Sequence, residues 1–334
     1  MAHGGPDEQG VPAHDFSTNA NACGPCPTAL AAVQQADAAR CPDPRYTDLR
    51  RTLANFHGVD AECVVIAASA SEFITRMTAA VAQRGARSVW LPRHCYGDYE
   101  RAARAWGLQV LRGAASSGDE AQLLWCCDPS NPLGQAQPDL SALVDRQAGA
   151  RACVLDLAYE PLRLAGHIAL DATQCQRVWQ LWTPNKALGL AGVRAAYAIA
   201  PAGAEGLVER LEALAPSWPL GADGVALLTQ WVGDEAQRWL ADTLPLLREW
   251  KAAQIALCEG LGWTCLPSDT HFFCARIGAQ QEPAALLAAL RGAGVKLRDA
   301  TDFGLRNHVR LAVLPPASQR ALARGLMQSM RTGL

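Results

Sequence analysis

The stretch LWTPNKALGLAGVRAAY, residues 181–197, decides how this chain is interpreted. An apolar strand-like run ends at Trp182, and Thr-Pro-Asn-Lys follows in a non-repetitive turn. Lys186 is the only lysine between residues 1 and 250. Burial in an Ala-, Gly- and Leu-rich setting lowers the pKa of a lysine amine and makes it a nucleophile towards an aldehyde. A lysine exposed in a surface loop is the alternative, which residue type alone favours.

Outward from this stretch, apolar strand-like runs alternate with helical patterns between residues 46 and 214. The runs are apolar on both faces, which predicts an α/β fold with a mostly parallel seven-stranded sheet flanked by helices. Helical spacing is clear, for example, in 72–84 and 140–149. The predicted strands are 63–68, 88–92, 108–111, 122–127, 152–157, 177–182 and 194–200.

The pattern changes after Pro216. Residues 221–261 are almost wholly helical in character, and a mixture of short strands and helices follows, which predicts a smaller α+β domain at the C-terminus. Short strands are expected at 263–266, 271–277 and 309–313, and helices at 282–292 and from 317 onwards. We therefore expect an N-terminal arm (1–27), a large domain (28–220), and linking helices with a small domain (221–334).

Composition excludes several classes of function. Half of the 334 residues are hydrophobic and 19% are charged, which is typical of a globular protein. The net charge is −2 and no basic tract exceeds two residues, so nucleic acid is not an expected partner. The N-terminus lacks an apolar signal sequence, and the apolar stretch 187–202 is broken by Arg194. These features predict a soluble, cytoplasmic protein with no membrane contact.

The twelve cysteines favour packing over disulfides or metal binding. Cys23-Gly-Pro-Cys26 is the one pair with redox or metal spacing, but no second pair and no histidine cluster completes a tetrahedral site. We expect a Gly-Pro turn there and no metal centre. Other cysteines lie in apolar strand-like runs, where cysteine behaves as a small hydrophobe: Cys126, Cys127, Cys153 and Cys274.

Polar residues just after the predicted strands carry the functional signal, because ligands of such sheets bind beyond the carboxyl ends of the strands. Asp156 ends one strand, and Tyr159 follows three residues later. A buried carboxylate needs a partner, and a pyridinium nitrogen is a suitable one. Asn131 follows another strand and could offer its amide to a ring hydroxyl, although Asn-Pro is also a plain turn signal.

The first predicted strand leads into Ser69-Ala70-Ser71-Glu72 and then into a helix. This is an N-cap with exposed amides and a favourable helix dipole, which suits a phosphate group. No GxGxxG follows any predicted strand, so a dinucleotide-binding dehydrogenase is not favoured.

Taken together, these motifs resemble the class I/II aminotransferases of the fold-type I pyridoxal-phosphate (PLP) superfamily. The resemblance runs from His3 to about residue 320 and is strongest to the branch of histidinol-phosphate aminotransferase and L-threonine-O-3-phosphate decarboxylase. Its most specific element is the run from Thr183 through Lys186 to Arg194, which matches Ser-x-Ser/Asn-Lys with an arginine eight residues later. The resemblance implies PLP as cofactor, a Schiff base on Lys186, and cofactor-phosphate contacts from Thr183 and Arg194.

The same resemblance assigns the other cofactor contacts. Asp156 falls on the residue that contacts the pyridine nitrogen, and Tyr159 and Asn131 fall on residues near the ring O3′. Tyr96 falls on the aromatic that stacks on the ring, with Tyr99 as a weaker candidate. The residues that fall on the phosphate cup, where backbone amides matter most, are Ser69, Ala70 and Ser71.

Substrate contacts are implied near both ends of the chain. Arg310 and Arg298 resemble the two arginine motifs of the family, with Arg310 expected on the substrate carboxylate. Arg298 is a second anion contact or forms a surface salt bridge. The arm that contains His3-Gly-Gly and Asn19 is similar to the start of threonine-phosphate decarboxylases, where it closes over the substrate phosphate. Packing on a partner subunit is the other interpretation of this arm.

Two departures from the family pattern weaken any prediction of the substrate. The Tyr-Pro-Asp of many relatives, whose tyrosine reaches the neighbouring subunit's cofactor, is Cys41-Pro-Asp here, and Tyr46 is no simple replacement. The Asn-Phe of the small domain is His271-Phe272. We expect a homodimeric enzyme whose motifs serve transamination and decarboxylation alike. A non-catalytic relative is disfavoured because Lys186 and Asp156 are both present.

Overall fold

The structure, a computed structural model, describes residues 4–113, 121–146, 151–278 and 282–331. The helices are α1 Pro27–Gln34, α2 Thr47–His57, α3 Ala70–Gln83, α4 Gly97–Ala105, α5 Leu140–Asp145, α6 Ala172–Cys175, α7 Glu205–Leu214, α8 Ala222–Trp231, α9 Asp234–Gly260, α10 Pro283–Gly292 and α11 Pro316–Arg331. The strands are β1 His14–Asp15, β2 Val64–Ala67, β3 Ser88–Leu91, β4 Gln109–Arg112, β5 Leu123–Cys127, β6 Ala152–Asp156, β7 Trp179–Trp182, β8 Ala196–Ile199, β9 Thr264–Cys265, β10 Phe272–Arg276, β11 Val295–Lys296, β12 Arg298–Asp299 and β13 His308–Ala312.

Seven strands form the large sheet in the order β2-β8-β7-β6-β5-β3-β4. Only β8 runs against its neighbours, β2 and β7, and the remaining pairs are parallel. The carboxyl ends of β2 to β7 therefore lie at one edge of the sheet, and the start of β8 joins them there. The predicted mostly parallel sheet is confirmed, with every strand within two residues of its expected bounds.

Helices cover both faces of this sheet because its strands other than the edge strand β4 are buried and largely apolar on both faces. Side chains on one face pack against α3, α4 and α7, and among them are Trp125 and Val154. On the opposite face Leu124 and Leu155 pack against α5, while β2 and β8 contribute to a third cluster with α1, α2, α8 and α9. Asp156 follows Val154 by two residues and so points towards the side of α4.

The helix that follows β2 begins where the sequence predicts an N-cap. The Ser69 side chain accepts a hydrogen bond from the amide of Glu72 at 3.1 Å. This cap satisfies one of the amide groups that have no acceptor within the first turn of a helix. The apolar face of α3, which includes Phe73, Ile74 and Met77, is fully buried against the sheet.

The C-terminal part contains an antiparallel sheet in the order β12-β13-β10-β9 and the helices expected from its pattern. The two-residue strands β1, β11 and β12 were not predicted. β1 pairs in parallel with β11, which ties the N-terminal arm to a segment about 280 residues later. The helix expected at 140–149 ends at Asp145, and residues 147–149 lie outside the described residues.

Within the described segments, no helix combines the length and apolar character that crossing a bilayer requires. The cysteines that the structure describes are all free thiols. Those predicted to pack as small hydrophobes are buried in β5, β6 and β10: Cys126, Cys127, Cys153 and Cys274.

Candidate active site

A cavity lies where the strands β2, β5, β6 and β7 end. The parallel arrangement brings these strand ends together although they are far apart in sequence. Residues that the sequence analysis predicted as cofactor or catalytic residues line this cavity: Ser69, Ala70, Ser71, Tyr96, Asn131, Asp156, Tyr159, Thr183, Lys186 and Arg194.

Lys186 lies in a turn that hydrogen bonds fix in place. The Asn185 side chain donates to the carbonyl of Val193 at 3.0 Å, and the Lys186 carbonyl accepts from the amide of Asn21 at 2.9 Å. The Lys186 amine lies 5.7 Å from the centre of the Tyr159 ring. Burial lowers the pKa of Lys186, and the positive charges of neighbouring arginines act in the same direction, whereas Asp156 opposes them. The expected nucleophilic amine therefore has the environment it needs.

Asp156 is buried at the end of β6, and each of its carboxylate oxygens accepts one hydrogen bond. One oxygen accepts from the amide of Ala158 at 3.0 Å, and the other accepts from the hydroxyl of Tyr99 at 2.6 Å. Burial raises the pKa of Asp156, while these two hydrogen bonds and the charge of Lys186 act against that rise. The Tyr99 ring is itself buried and stacks on Trp125 with 4.8 Å between ring centres.

This contact of Tyr99 is not predictable from the sequence motifs. The motifs make Tyr99 only a second candidate for stacking on the cofactor ring, whereas the structure places its hydroxyl on Asp156. Tyr96, the first candidate, does line the cavity, and its hydroxyl lies 3.2 Å from that of Ser71. Tyr96 directly precedes α4 and Tyr99 lies in its first turn, and the two rings lie 5.8 Å apart between centres. Their spacing in the sequence does not show which one reaches Asp156.

The end of the cavity beside α3 is rich in hydrogen-bond donors. The first turn of α3 carries amides without helical acceptors. The Thr183 hydroxyl is buried and has no hydrogen-bond partner among the described residues. Arg194 is the exposed member of the lining. A buried hydroxyl without a partner is costly, so this end of the cavity is suited to an anionic group.

A second cavity adjoins the first and shares six lining residues with it: Tyr96, Asn131, Tyr159, Asn185, Lys186 and Arg194. Its other walls are formed by the N-terminal arm and by residues of the C-terminal part. The predicted substrate residues all lie in this lining: Asn19, Arg298 and Arg310.

The two arginines in this lining differ in how their charges are balanced. Arg298 donates to both carboxylate oxygens of Asp302, at 2.9 and 2.7 Å. Arg310 donates to the side chain of Asn131 at 2.7 Å and to the carbonyl of Ser17 at 2.9 Å, while its Nε–H has no partner among the described residues. Arg310 is therefore a buried cation that forms no direct ion pair with a carboxylate of the described residues. The salt-bridge alternative for Arg298 is present, although the arginine is buried.

Tyr159 connects the two cavities. Its hydroxyl accepts a long hydrogen bond of 3.5 Å from the side chain of Asn19. Burial raises the pKa of Tyr159 to about 12, so the phenol stays protonated near neutral pH. The ring of His271 lies 5.9 Å from the Tyr159 ring, and its imidazole contacts the backbone of Asn19. In the sequence, His271 stands out only as a departure from the family pattern.

The surroundings of Gly4 in the arm and of Tyr46 bear on two features noted in the sequence, the Gly-Gly pair and the missing intersubunit tyrosine. Gly4 belongs to the predicted Gly-Gly pair, and a Cβ atom there would lie 2.2 Å from the carbonyl oxygen of Ser17, so only glycine fits. His3 lies outside the described residues. The Tyr46 hydroxyl is used within the chain, because it donates to the carbonyl and accepts from the amide of Leu220.

The sequence profile of the family "Aminotransferase class I and II" matches residues 12–326. The chain belongs to this family. Membership confirms the resemblance inferred from the motifs and identifies the chain as an enzyme of the aminotransferase family. A curated relative is the histidinol-phosphate aminotransferase of Symbiobacterium thermophilum, which is 28% identical over 96% of this chain and 92% of its own length.

Solved structures share the aminotransferase fold. Histidinol-phosphate aminotransferase from Sinorhizobium meliloti, in complex with pyridoxal 5′-phosphate, has a TM-score of 0.78 and 22% identity, covering 94% of this chain and 90% of that one. L-threonine-O-3-phosphate decarboxylase from Porphyromonas gingivalis has a TM-score of 0.80 and 22% identity, covering 95% and 99%. At these identities the likeness establishes the fold only. An aminotransferase and a decarboxylase share that fold, so the likeness does not distinguish the two reactions.

Proposed function

We propose that this chain is a PLP-dependent aminotransferase that carries its cofactor as a Schiff base on Lys186. Its substrate is a small amino acid or amine, and phosphorylated ones are the first candidates. The observation that supports this most is the single cavity that contains Lys186 and Asp156, two residues 30 positions apart in sequence. A pyridoxal ring needs an amine near its aldehyde and a carboxylate at its nitrogen, and the cavity offers both.

The cofactor is pyridoxal phosphate, as family membership and the PLP-bound neighbour indicate. The residues present fit this group. The unpartnered hydroxyl of Thr183, the first-turn amides of α3 and the guanidinium of Arg194 are a donor set for a phosphate. Asp156 would hold the pyridine nitrogen. Asn131 and Tyr159 would hold the ring hydroxyl, and the Tyr96 ring would cover one face.

When bound, PLP supplies an electron sink for a bond to the substrate Cα. The Asp156 carboxyl group, which accepts hydrogen bonds from Tyr99 and Ala158, would pair with the ring nitrogen and favour its protonated form. The Lys186 amine, free once the substrate's own amine has replaced it on the cofactor, would remove the proton from the substrate Cα, a contribution of about 10²–10⁴-fold in rate. Arg310 would orient the substrate through its carboxylate, because a planar guanidinium binds a carboxylate with two parallel hydrogen bonds.

A second candidate is L-threonine-O-3-phosphate decarboxylation, a step of cobalamin biosynthesis. One observation favours it: the N-terminal arm lines the second cavity through Gly4, Ser17 and Thr18, facing Arg298. This places hydroxyls and a guanidinium in the same lining, as a substrate phosphate requires. Transamination needs the Cα–H bond held perpendicular to the ring, and decarboxylation needs the carboxylate held there, so the same residues serve both.

Product analysis distinguishes the two reactions. The holoenzyme is incubated with L-threonine O-phosphate alone, and separately with histidinol phosphate plus 2-oxoglutarate, and both CO₂ and glutamate are measured. Glutamate formation supports the aminotransferase, and CO₂ release supports the decarboxylase. Lys186→Ala serves as the control that removes either product. Absence of both products would contradict the proposed substrate class.

The remaining sequence-based expectations extend this proposal. The cofactor residues fall in the large domain, 28–220, and Arg298 and Arg310 fall in 221–334, so substrate would bind between the two parts. A cytoplasmic homodimer is the assembly proposed. Size-exclusion chromatography with light scattering tests the oligomeric state.

A further inference from the structure

The backbone of the N-terminal arm is held over the second cavity by separate contacts between Phe16 and Asn21. The Phe16 carbonyl accepts from the amide of Ala312 at 2.8 Å, and the Ser17 carbonyl accepts from Arg310 at 2.9 Å. The Asn21 amide donates to the carbonyl of Lys186 at 2.9 Å. Between these points, the Asn19 carbonyl has a side-chain partner, the Nε2 atom of His271 at 3.1 Å.

His271 lies directly before β10 and is completely buried. Its Nδ1 atom lies 3.0 Å from the hydroxyl of Thr270, which also lies 2.9 Å from the carbonyl of Leu162. Burial lowers the pKa of His271 to about 3, so the ring is neutral near pH 7 and carries one N–H.

The contacts decide which nitrogen of the ring carries the proton. A carbonyl oxygen only accepts hydrogen bonds, so Nε2 must donate to Asn19 and hold the proton. The Thr270 hydroxyl has a single proton, which can go to the carbonyl of Leu162 or to Nδ1 but not to both. With the ring proton on Nε2, the hydroxyl donates to Nδ1 and gives up the Leu162 contact, whereas a proton on Nδ1 would leave Nε2 facing the Asn19 carbonyl as two acceptors 3.1 Å apart. Thr270 therefore contacts the ring at Nδ1, and the ring donates a hydrogen bond to the arm at Nε2. The partner of one ring nitrogen often determines which nitrogen of a functional histidine carries the proton.

Asn19 connects His271 to the site. Asn19 lines the second cavity, and its side-chain amide donates to the Tyr159 hydroxyl at 3.5 Å. Its Oδ1 atom is buried and lacks a partner among the described residues. The His271 ring also packs on the Tyr159 ring. Movement of the Asn19 backbone would therefore displace a lining residue of the second cavity and a contact of Tyr159.

We propose that His271 is a positioning residue that holds the N-terminal arm over the site by donating a hydrogen bond from Nε2 to the Asn19 carbonyl. It touches neither reacting atoms nor cofactor and acts through Asn19. The inference deepens the proposed function, because it names the group that places the arm's contribution to substrate binding.

A matched pair of variants separates this role from packing. In His271→Gln the side-chain nitrogen reaches the position of Nε2 and can still donate to Asn19. In His271→Asn the side chain reaches only the position of Nδ1, and the family pattern accepts asparagine here, so the fold is expected to accept it too. Both variants lose ring volume, but only the asparagine loses the arm contact.

Hydrogen–deuterium exchange of the PLP-loaded enzyme measures the arm directly. We expect the peptide covering residues 16–22 to exchange about fivefold faster in His271→Asn, the effect of one lost hydrogen bond on a local opening equilibrium, and to remain like wild type in His271→Gln. Equal exchange in the asparagine variant and wild type would overturn the proposal. Equal acceleration in both variants would also overturn it, because it would assign the effect to packing.

Two further measurements complete the test. Histidine ¹⁵N NMR of the wild-type enzyme should show the Nε2–H tautomer for His271, and an Nδ1–H tautomer would refute the inference without any dependence on a folded asparagine variant. With whichever substrate gives product, His271→Asn should raise KM about fivefold with little change in kcat, and His271→Gln should restore KM. If neither substrate gives product, the proposed function fails, whereas the exchange and NMR results still decide the role of His271.

Discussion

Replacement of Tyr99 by phenylalanine tests the electrostatics of the site most specifically. The change removes the hydroxyl that donates to Asp156 at 2.6 Å and keeps the ring that stacks on Trp125. A hydrogen bond to a charged group contributes about 1.5–3 kcal/mol, which corresponds to about a 10- to 150-fold loss in kcat/KM. The fold should persist, because the aromatic packing is retained.

The direction of the pH effect follows from the role of the hydroxyl. The hydrogen bond from Tyr99 lowers the pKa of Asp156, so its loss raises that pKa and leaves less of the carboxylate ionised at a given pH. We therefore expect the acid limb of the kcat profile of Tyr99→Phe to move to higher pH. Tyr197→Phe is the matched control, because it removes a buried tyrosine hydroxyl outside both cavities.

The assay is a kcat and KM determination between pH 5 and 9 for wild type and both variants, with the substrate identified by product analysis. An acid limb and a kcat/KM in Tyr99→Phe that match wild type would refute the reasoning. So would an equal shift in Tyr197→Phe, since a general loss of rigidity would then explain both variants.

Three further predictions concern substrate, cofactor and stability. Asp156→Asn should lower kcat about a hundredfold or more while PLP still binds, because breaking a buried ion pair costs about 3–5 kcal/mol; an unchanged kcat would mean that another carboxylate serves the ring nitrogen. Arg310→Lys should raise KM for carboxylate substrates about tenfold, since the forked contact is lost; steady-state kinetics that give the wild-type KM would remove Arg310 from the site. Tyr197→Phe should lower the free energy of unfolding by about 1–3 kcal/mol in urea denaturation, because the ring nitrogens of His57 and Trp231 lose their shared hydroxyl; an unaltered midpoint would contradict this.

The large sheet was predictable because most of its strands are apolar on both faces; the edge strand β4, with Gln109 and Arg112 exposed, is the exception. In an α/β fold, a strand that is apolar on both faces is stable only when helices bury both of those faces. The same topology explains why the site residues could be named in advance. Parallel strands end at one edge, so Asp156, Thr183 and Ser69 had to meet once the strands were identified.

Other features had no local signal in the sequence. The pairing of His14 with Val295 joins strands of two residues, which are too short to show a period of two. The contact of His271 with Asn19 spans 252 residues, and that of Tyr99 with Asp156 spans 57. Contacts at such separations depend on how the elements pack, and side-chain chemistry alone does not select one partner among several polar candidates.

The charge balance of the arginines was predictable in part. Asp302 follows Arg298 by four residues and could have been identified as its partner from spacing. The lack of a carboxylate beside Arg310 within the described chain depends on β13 and the arm together. The structure therefore distinguishes two arginines that the motifs treat alike.

Lys186 is the residue proposed to bond covalently to the cofactor. Because the chain has few lysines, the modified one can be identified directly. The chain contains three lysines, Lys186, Lys251 and Lys296. The PLP-loaded enzyme is reduced with borohydride, digested and analysed by mass spectrometry for the lysine that carries the pyridoxyl group. We expect the label on Lys186 alone, with loss of the absorbance near roughly 410–430 nm. Label on Lys251 or Lys296, or a protein that binds PLP without any reducible bond, would contradict this assignment.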